Sequence, residues 1–264
     1  MAKAKRFFEN FYLAVIVLFM YAPIFTMMVL SFNQSKSRNM WGGFTTGWYA
    51  EMIQDETIIA ALRNTLVIAL VSALAATILG TMAAIAIRNM KPFARNTIMG
   101  ITNIPMLNAD IVTGISLMLA FIAFGISLGF KTILFAHITF NLPYVILSVM
   151  PKLKQSSTTN YEAALDLGAT PRQAFFMVVL PDIMPGVMSG FMLAFTMSLD
   201  DFIITHFTRG AGIDTISTLV YSQVRKGISP SMYALSTVIF IAVFLILLIG
   251  NYAPGWLKKK RVKL

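Results

Sequence analysis

The chain has 264 residues, of which 57% are hydrophobic and only 12% are charged, and its mean hydropathy is +0.74. Because soluble domains carry roughly 25% charged residues, this composition excludes an ordinary soluble protein and indicates a membrane protein. A net charge of +10 leaves nucleic-acid binding open, whereas the lack of cysteine excludes disulfides and thiolate chemistry.

Six apolar segments are long enough to cross the roughly 30 Å hydrocarbon core of a bilayer as helices. They cover residues 11–30, 60–87, 97–124, 132–149, 183–207 and 232–252. The first is too long for the core of a signal peptide, so we predict that it is retained. Pro23 is expected to kink it, and Asn103, Pro105 and Asn108 interrupt the third segment. Since no linker or internal repeat is visible, we predict one all-α membrane domain over residues 1–264.

Lysine and arginine are distributed unevenly around these spans. With the N-terminus inside, the inner segments hold 14 of them, the outer segments hold six, and Arg63 lies at a span edge. The inner set is Lys3, Lys5, Arg6, Arg88, Lys91, Arg95, Lys152, Lys154, Arg172, Lys258, Lys259, Lys260, Arg261 and Lys263, and the outer set is Lys36, Arg38, Lys131, Arg209, Arg225 and Lys226. This bias predicts that both termini are cytoplasmic. It also accounts for the positive charge without nucleic-acid binding.

A polar stretch over residues 158–185 lies in the predicted cytoplasmic loop between the fourth and fifth spans. Thr159, followed three residues later by Glu162, predicts a capping box at the start of a short helix. Gly168 is suited to the left-handed position at the end of that helix. The loop is therefore predicted to begin with one helix and a glycine turn.

A second helix start follows directly. Thr170 is predicted as its N-cap, Pro171 suits the first helical position, and Gln173 closes another capping box. Apolar residues continue this helix as far as Pro181, which we expect to end it. The stretch is thus predicted to form a helical hairpin.

The hairpin resembles the EAA loop of ABC importer permeases. The resemblance rests on Glu162, Ala163, Ala164, Gly168, Val178, Val179, Leu180 and Pro181, with Val178 standing where that family usually has isoleucine. It implies a type I importer permease-like fold of six transmembrane helices, with a cytoplasmic coupling helix seated in a groove of an ATPase subunit. The residues expected to couple to the ATPase are Glu162, Ala163, Ala164, Asp166, Gly168 and Pro181. The alternative is an ordinary helical hairpin in a cytoplasmic loop.

Three aspartates, Asp110, Asp200 and Asp201, lie within predicted spans. A charge in the hydrocarbon costs ~2.5–3.5 kcal/mol on insertion scales, so such residues usually face a cavity or a partner. With no lysine or arginine nearby in the same spans, we expect little neutralisation within the chain and predict a path for a cationic solute. For Asp110, capping of a broken helix after Pro105 is the alternative. Since helix neighbours differ by about 100°, one of Asp200 and Asp201 can line the path while the other bonds a neighbouring helix.

Aromatic residues follow the first span. Trp41 and Trp48, with Phe44 and Tyr49, could form a cage for ammonium groups, or could anchor the membrane interface. For the lone His137 on an apolar span we predict a hydrogen-bonded packing role. No metal-binding set, catalytic set or phosphate-binding glycine loop is present in the sequence. We therefore expect no enzyme activity and no cofactor in this chain, with ATP and Mg²⁺ bound by a partner ATPase.

Further motifs are similar to those of spermidine/putrescine permeases within the importer family. They are Ser31-Phe32-Asn33, Trp41-Gly42-Gly43-Phe44, His137-Ile138-Thr139-Phe140, Ser198-Leu199-Asp200-Asp201 and Gly227-Ile228-Ser229-Pro230. The resemblance implies a polyamine importer in a bacterial cytoplasmic membrane. Its partners would be an ATPase dimer, a second permease chain expected to differ from this one, and an extracytoplasmic binding protein. Alternatives are a permease for thiamine, iron or an anion, a secondary transporter or channel, and a membrane enzyme.

Overall fold

A computed structural model describes residues 2–37 and 39–261, with side chains over residues 10–37, 39–157 and 159–245. Arg38 and Lys263, two of the basic residues counted above, lie outside the described residues. Within the described chain the regular structure is helical, apart from one isolated antiparallel bridge between Asn33 and Phe44. The all-α prediction is confirmed.

Twelve α-helices follow one another along the described chain. They are α1 (Ala2–Leu30), α2 (Gly47–Gln54), α3 (Glu56–Arg88), α4 (Pro92–Leu107), α5 (Asp110–Ala123), α6 (Phe130–Gln155), α7 (Thr158–Asp166), α8 (Pro171–Ala174), α9 (Leu180–Asp200), α10 (Ile203–Thr208), α11 (Ile216–Lys226) and α12 (Pro230–Arg261). A π-helical turn over Phe175–Val179 joins α8 to α9. Each of the six predicted spans contains a helix, whereas α2 and α11 lie between predicted spans.

Four helical segments of the described chain are long and apolar enough to cross a membrane. They are Asn10–Leu30, Glu56–Arg88, Phe130–Gln155 and Pro171–Asp200. The pair α4 and α5 adds a fifth if it is one broken span, and the apolar part of α12 over Pro230–Leu245 is shorter. These lengths support a multi-pass membrane protein, and the count of six spans stays a prediction.

The third predicted span is broken, as its polar residues indicated. The axes of α4 and α5 differ by 104° across Asn108 and Ala109. Pro105 remains inside α4, and Asn108 has the extended backbone that ends this helix. Asp110 occupies the first turn of α5, where a negative charge interacts favourably with the helix dipole.

Residue packing divides the chain into two compact units. One comprises Met1–Ile59 with Val220–Leu264, and the other comprises Ala60–Leu219. In the first unit α12 packs against α1 and α2, and in the second α6 and α9 form the most extensive helix pair. The prediction of a single transmembrane domain stays a prediction.

A stripe of small residues brings α9 close to α6. Gly186, Gly190, Ala194 and Ser198 recur every four residues along α9, and all are buried. A Cβ on Gly186 would stand only 3.0 Å from the backbone oxygen of Ser148 on α6. Such residues let helices approach closely in a membrane, where lipid provides no hydrophobic drive for association. The two helices are therefore held by close packing along their length.

Candidate functional site

The first helix of the predicted coupling hairpin, α7, starts earlier than predicted. Ser157 is its N-cap, and its side chain accepts a hydrogen bond of 3.2 Å from the backbone N–H of Thr159. The predicted capping box between Thr159 and Glu162 is wrong, because Ser157 already takes the cap position and Thr159 lies inside the first turn. This leaves the Glu162 side chain exposed, without a capping role.

The turn and the second helix start have the predicted geometry. Gly168 has φ of +91°, in the left-handed region that favours glycine. Its N–H donates to the Leu165 carbonyl at 2.9 Å. The Thr170 N–H donates to Gln173 Oε1 at 2.9 Å, and the Gln173 N–H donates to Thr170 Oγ1 at 3.4 Å. The second capping box is therefore confirmed, with Pro171 at the start of α8.

Pro181 does not end the helix, in contrast to the prediction. The chain stays helical through the π turn over Phe175–Val179, and Pro181 lies in the first turn of α9. Proline breaks a regular α turn because its ring clashes with the carbonyl four residues earlier and it lacks an N–H. The wider π turn directly before Pro181 accommodates it, so the hairpin continues into the fifth predicted span without a loop.

The hairpin is exposed at its tip and attached at its base. Glu162, Asp166 and Gly168 are exposed, and Leu167 is 89% exposed. Within the described chain, neither carboxylate of the tip has a hydrogen-bond or ion-pair partner. At the base, Arg88 Nη2 of α3 donates a hydrogen bond of 3.0 Å to the backbone oxygen of Ser156, the residue that directly follows α6. The tip is thus free to meet another molecule.

A cluster of five polar side chains lies inside the second unit. Its members are Ser72 of α3, His137 of α6, Ser198 of α9, Thr205 of α10 and Asp201 between α9 and α10. His137 Nδ1 lies 2.5 Å from Ser198 Oγ, and its Nε2 lies 2.9 Å from Thr205 Oγ1. Ser198 Oγ also lies 3.0 Å from Ser72 Oγ. His137 is 1% exposed, so its predicted hydrogen-bonded packing role is confirmed.

Asp201 belongs to this buried cluster, which we call the polar cluster. Its side chain is 7% exposed, and Oδ2 lies 3.4 Å from His137 Nε2. The carboxylate accepts hydrogen bonds from the N–H groups of Ile204 and Thr205, at 3.2 and 2.8 Å, and from Thr205 Oγ1 at 2.9 Å. The expectation of little neutralisation within the chain considered lysine and arginine but not histidine. His137 lies in contact with the Asp201 carboxylate, so this aspartate has a partner in the chain that was not predicted.

Asp110 and Asp200 differ from Asp201 in being exposed. Neither has a hydrogen-bond or ion-pair partner within the described chain, although the Asp110 carboxylate interacts electrostatically with Tyr144 on α6. The N-cap of α5 is Ala109 and no side chain caps this helix, so the alternative capping role of Asp110 is wrong. Of the two adjacent aspartates, Asp201 bonds a neighbouring helix, whereas the Asp200 carboxylate is exposed and has no partner among the described residues.

The aromatic residues form part of a folded loop in the first unit. Asn33, 2% exposed, accepts a hydrogen bond from the Gly42 N–H at 2.8 Å and donates one to the Met40 carbonyl at 2.9 Å. Trp48 Nε1 donates to the Asn33 carbonyl at 2.8 Å, whereas Trp41 is 57% exposed. Trp48 thus stabilises the loop, and a cage for ammonium groups stays a prediction.

Comparison with known proteins identifies the family. Residues 76–261 match the family model described as a binding-protein-dependent transport system inner membrane component, which is more than half of the chain. The chain belongs to this family of ABC importer permeases. The matched segment of the permease includes the hairpin and all three aspartates, but not Trp41 or Trp48.

Relatives resemble the permease over most of its length. The putrescine transport system permease protein PotI of Escherichia coli (strain K12) is 39% identical over 252 residues, covering 93% of this chain and 90% of PotI. The spermidine/putrescine transport system permease protein PotC of the same strain is 35% identical over 236 residues, covering 89% of each chain. A PotC homolog of Mycoplasma genitalium is 31% identical over 250 residues, covering 90% of this chain and 87% of its own.

Solved structures support the fold. A chain of a bacterial ABC transporter involved in the import of the acidic polysaccharide alginate aligns with a TM-score of 0.73 at 17% identity, covering 95% of this chain and 96% of that chain. A chain of the MetNI methionine ABC transporter, in an inward-facing conformation, aligns with a TM-score of 0.59 at 20% identity, covering 74% of the permease and 93% of that chain. The predicted importer permease-like fold is confirmed.

Sequence reasoning missed most of the polar cluster. Ser198 and Thr205 were not predicted as partners of His137, nor Ser72 as the partner of Ser198, since hydroxyl residues are common in membrane helices. A signal was present in the four-residue spacing of small residues on α9, which ends at Ser198. It predicts the buried face of α9, and hence which of Asp200 and Asp201 faces inward.

Proposed function

We propose that this permease carries polyamines such as putrescine and spermidine across a bacterial cytoplasmic membrane, driven by ATP hydrolysis in partner subunits. The observation that carries the proposal is the similarity to PotI and PotC across about nine tenths of each chain. Both are named as permeases for these cations. The carboxylates of Asp110 and Asp200 are exposed and have no hydrogen-bond or ion-pair partner within the described chain. They support the same class of solute, because acidic groups along the path stabilise a polycation.

In this proposal the hairpin receives movement from an ATPase dimer. Glu162, Ala163, Ala164, Asp166 and Gly168 form the surface that docks on the ATPase. The exposure of Glu162, Ala163, Asp166 and Gly168 supports this role, as does the lack of a partner for the two carboxylates among the described residues. The hairpin lies between α6 and α9 in the chain, so a displacement of its tip acts directly on this closely packed pair.

Pro181 lies where the second half of the hairpin joins the fifth predicted span. The helix passes from the π turn into α9 without a loop, so movement of α8 reaches the fifth predicted span through continuous helix. ATP and Mg²⁺ bind to the ATPase, and the permease itself catalyses no covalent step and holds no cofactor or metal. Coupling by this route would let one ATPase movement alternate access between the two sides.

The solute path contains Asp110 and Asp200, with Asp201 next to Asp200 in the chain, and Trp41 and Trp48 are further candidates for contact with the ammonium groups of the solute. The complete assembly includes a second permease chain, different from this one, and an extracytoplasmic protein that delivers the solute. Both termini of the permease are cytoplasmic, as the distribution of lysine and arginine predicts.

The test is ATP-dependent uptake of labelled spermidine and putrescine by proteoliposomes that contain the whole assembly. Unlabelled putrescine, thiamine and ferric iron are added as competitors. We expect uptake of both polyamines, and competition between them but not by thiamine or iron. Transport of thiamine or iron without polyamine uptake would contradict the assigned solute, while leaving the permease family unchanged.

A further inference from the structure

We propose that His137 carries a positive charge in the folded permease and acts as the counter-ion of Asp201. Through this pair it is a positioning residue for the solute path. The charge assignment stands on the geometry and electrostatics of the polar cluster, whereas the positioning role rests on the proposed function.

The first argument counts protons on the Asp201 side of the imidazole ring. An ionised carboxylate only accepts hydrogen bonds, so Thr205 Oγ1 donates its single proton to Asp201 Oδ2 at 2.9 Å. The same hydroxyl lies 2.9 Å from His137 Nε2 and must therefore accept there. This places a proton on Nε2, which also faces Asp201 Oδ2 at 3.4 Å.

The second argument counts protons on the opposite side of the ring. Ser72 Oγ lies 3.0 Å from Ser198 Oγ, and either hydroxyl can be the donor; when Ser72 donates to the Ala69 carbonyl, at 3.3 Å, it accepts from Ser198. Ser198 has then used its own proton, so at 2.5 Å it accepts from His137 Nδ1. With a proton on each nitrogen, the ring is an imidazolium.

Electrostatics favours this arrangement over the reverse one. If Ser72 donated to Ser198, and Ser198 to Nδ1, the ring would be neutral and the Asp201 carboxylate would be buried without a cation. A buried charge is costly unless it is paired and hydrogen-bonded. The other titratable side chains on α5, α9 and α10 are Asp110, Asp182, Asp200 and His206, and all four are exposed. Asp201 is the one in contact with His137.

The pair also fixes the break between α9 and α10. Asp201 accepts from two N–H groups at the start of α10, and its backbone oxygen accepts from Ser217 Oγ at 2.7 Å. Asp200 is the last residue of α9 and the direct neighbour of this fixed point. His137 therefore sets where the exposed Asp200 carboxylate stands, without contacting the solute itself.

The charge is measured by nitrogen NMR on the full chain in lipid nanodiscs. The chain has two histidines, so His206→Gln leaves His137 as the only one, provided that the purification tag contains none. With ¹⁵N-labelled histidine at neutral pH, we expect the two ring nitrogens to resonate close together, as in an imidazolium. Two widely separated signals, from one protonated and one bare nitrogen, would overturn the proposal whatever the solute is.

The positioning role is measured by spermidine uptake in the whole assembly. His137→Asn keeps a hydrogen-bonding side chain but removes the charge, and we expect uptake to fall at least about tenfold, because Asp201 is left buried without its cation. Adding Asp201→Asn should restore uptake to the level of Asp201→Asn alone. A simple structural defect at His137 would not be repaired by a second substitution.

A matched control tests whether recovery of uptake depends on the pair of His137 and Asp201 or only on the net charge. Asp200→Asn added to His137→Asn removes the same charge one residue away, and we expect no recovery of uptake. Equal recovery by Asp200→Asn, or no recovery by Asp201→Asn, would overturn the positioning role. If the wild-type assembly carried no spermidine at all, the proposed function would fail, while the NMR measurement would still decide the charge of His137.

Discussion

The hairpin and the polar cluster treat their acidic groups in opposite ways. In the hairpin, Glu162 and Asp166 are exposed and have no partner within the described chain. In the polar cluster, Asp201 is 7% exposed and meets His137, Thr205 and two backbone N–H groups. An acidic group that is satisfied internally holds the fold, whereas one left open is available to another molecule. This contrast separates the residues that shape the permease from those that contact its partners or solute.

The largest effect should come from breaking the polar cluster. We expect His137→Leu to lower the free energy of unfolding by about 3 kcal/mol or more, because it removes the imidazole that faces the buried Asp201 carboxylate and leaves an apolar side chain there. Glu162→Ala, at an exposed position, should change it by about 0.5 kcal/mol or less. Chemical unfolding of the purified chain in mixed micelles measures both. Equal losses in the two variants would abolish the distinction between the regions.

The stripe of small residues on α9 offers a second way to break the buried region. Gly186→Val would force a branched side chain against the Ser148 carbonyl and Lys152 of α6, and we expect a loss of about 1–3 kcal/mol in unfolding free energy. Gly100→Val in α4 is the matched control, since nothing lies within 4 Å of a Cβ there. The same unfolding assay serves for both. A control as unstable as the Gly186 variant would mean that loss of glycine, and not close packing, is responsible.

How far the sequence predicts each region depends on how far apart the interacting residues lie. The turn at Gly168 and the box between Thr170 and Gln173 need only neighbouring residues, and both were predicted. In the polar cluster, by contrast, Ser72 meets Ser198 across 126 positions in the chain. Periodicity shows that a helix spans the membrane, but it does not show which faces meet, so these partners could not be predicted.

Local signals also fail when they compete. Ser157 and Thr159 can each cap α7, and the sequence does not rank them, so the helix start was misplaced by two residues. Pro181 is a strong stop signal, yet the π turn before it keeps the helix continuous. That turn depends on how α8 and α9 are held in the fold, which a count of apolar residues does not contain.

The exposed acidic groups of the hairpin are tested by a variant with a functional readout. We expect Glu162→Ala to lower ATP-dependent uptake about tenfold, equivalent to about 1.4 kcal/mol, through loss of a contact to the ATPase. Folding should be unchanged, and co-purification with the ATPase should weaken. Glu51→Ala, at an exposed position of α2, is the control and should transport normally. Uptake unaffected by Glu162→Ala would remove this residue from the coupling surface.

The smallest expected effect distinguishes two threonines within the hairpin. Thr170→Ala removes two hydrogen bonds of this cap, because the Thr170 hydroxyl accepts from the Gln173 N–H and donates to Gln173 Oε1. We expect the start of α8 to become less stable by about 1 kcal/mol, seen as faster amide hydrogen exchange at Gln173 and Ala174. Thr159→Ala should leave exchange in α7 nearly unchanged, since Ser157 supplies that cap. Faster exchange in α7 of the Thr159 variant would instead restore the capping box that the sequence predicted. Because α8 leads directly into the π turn and α9, a loosened α8 should also reduce uptake modestly, while a loosened α7 start should not.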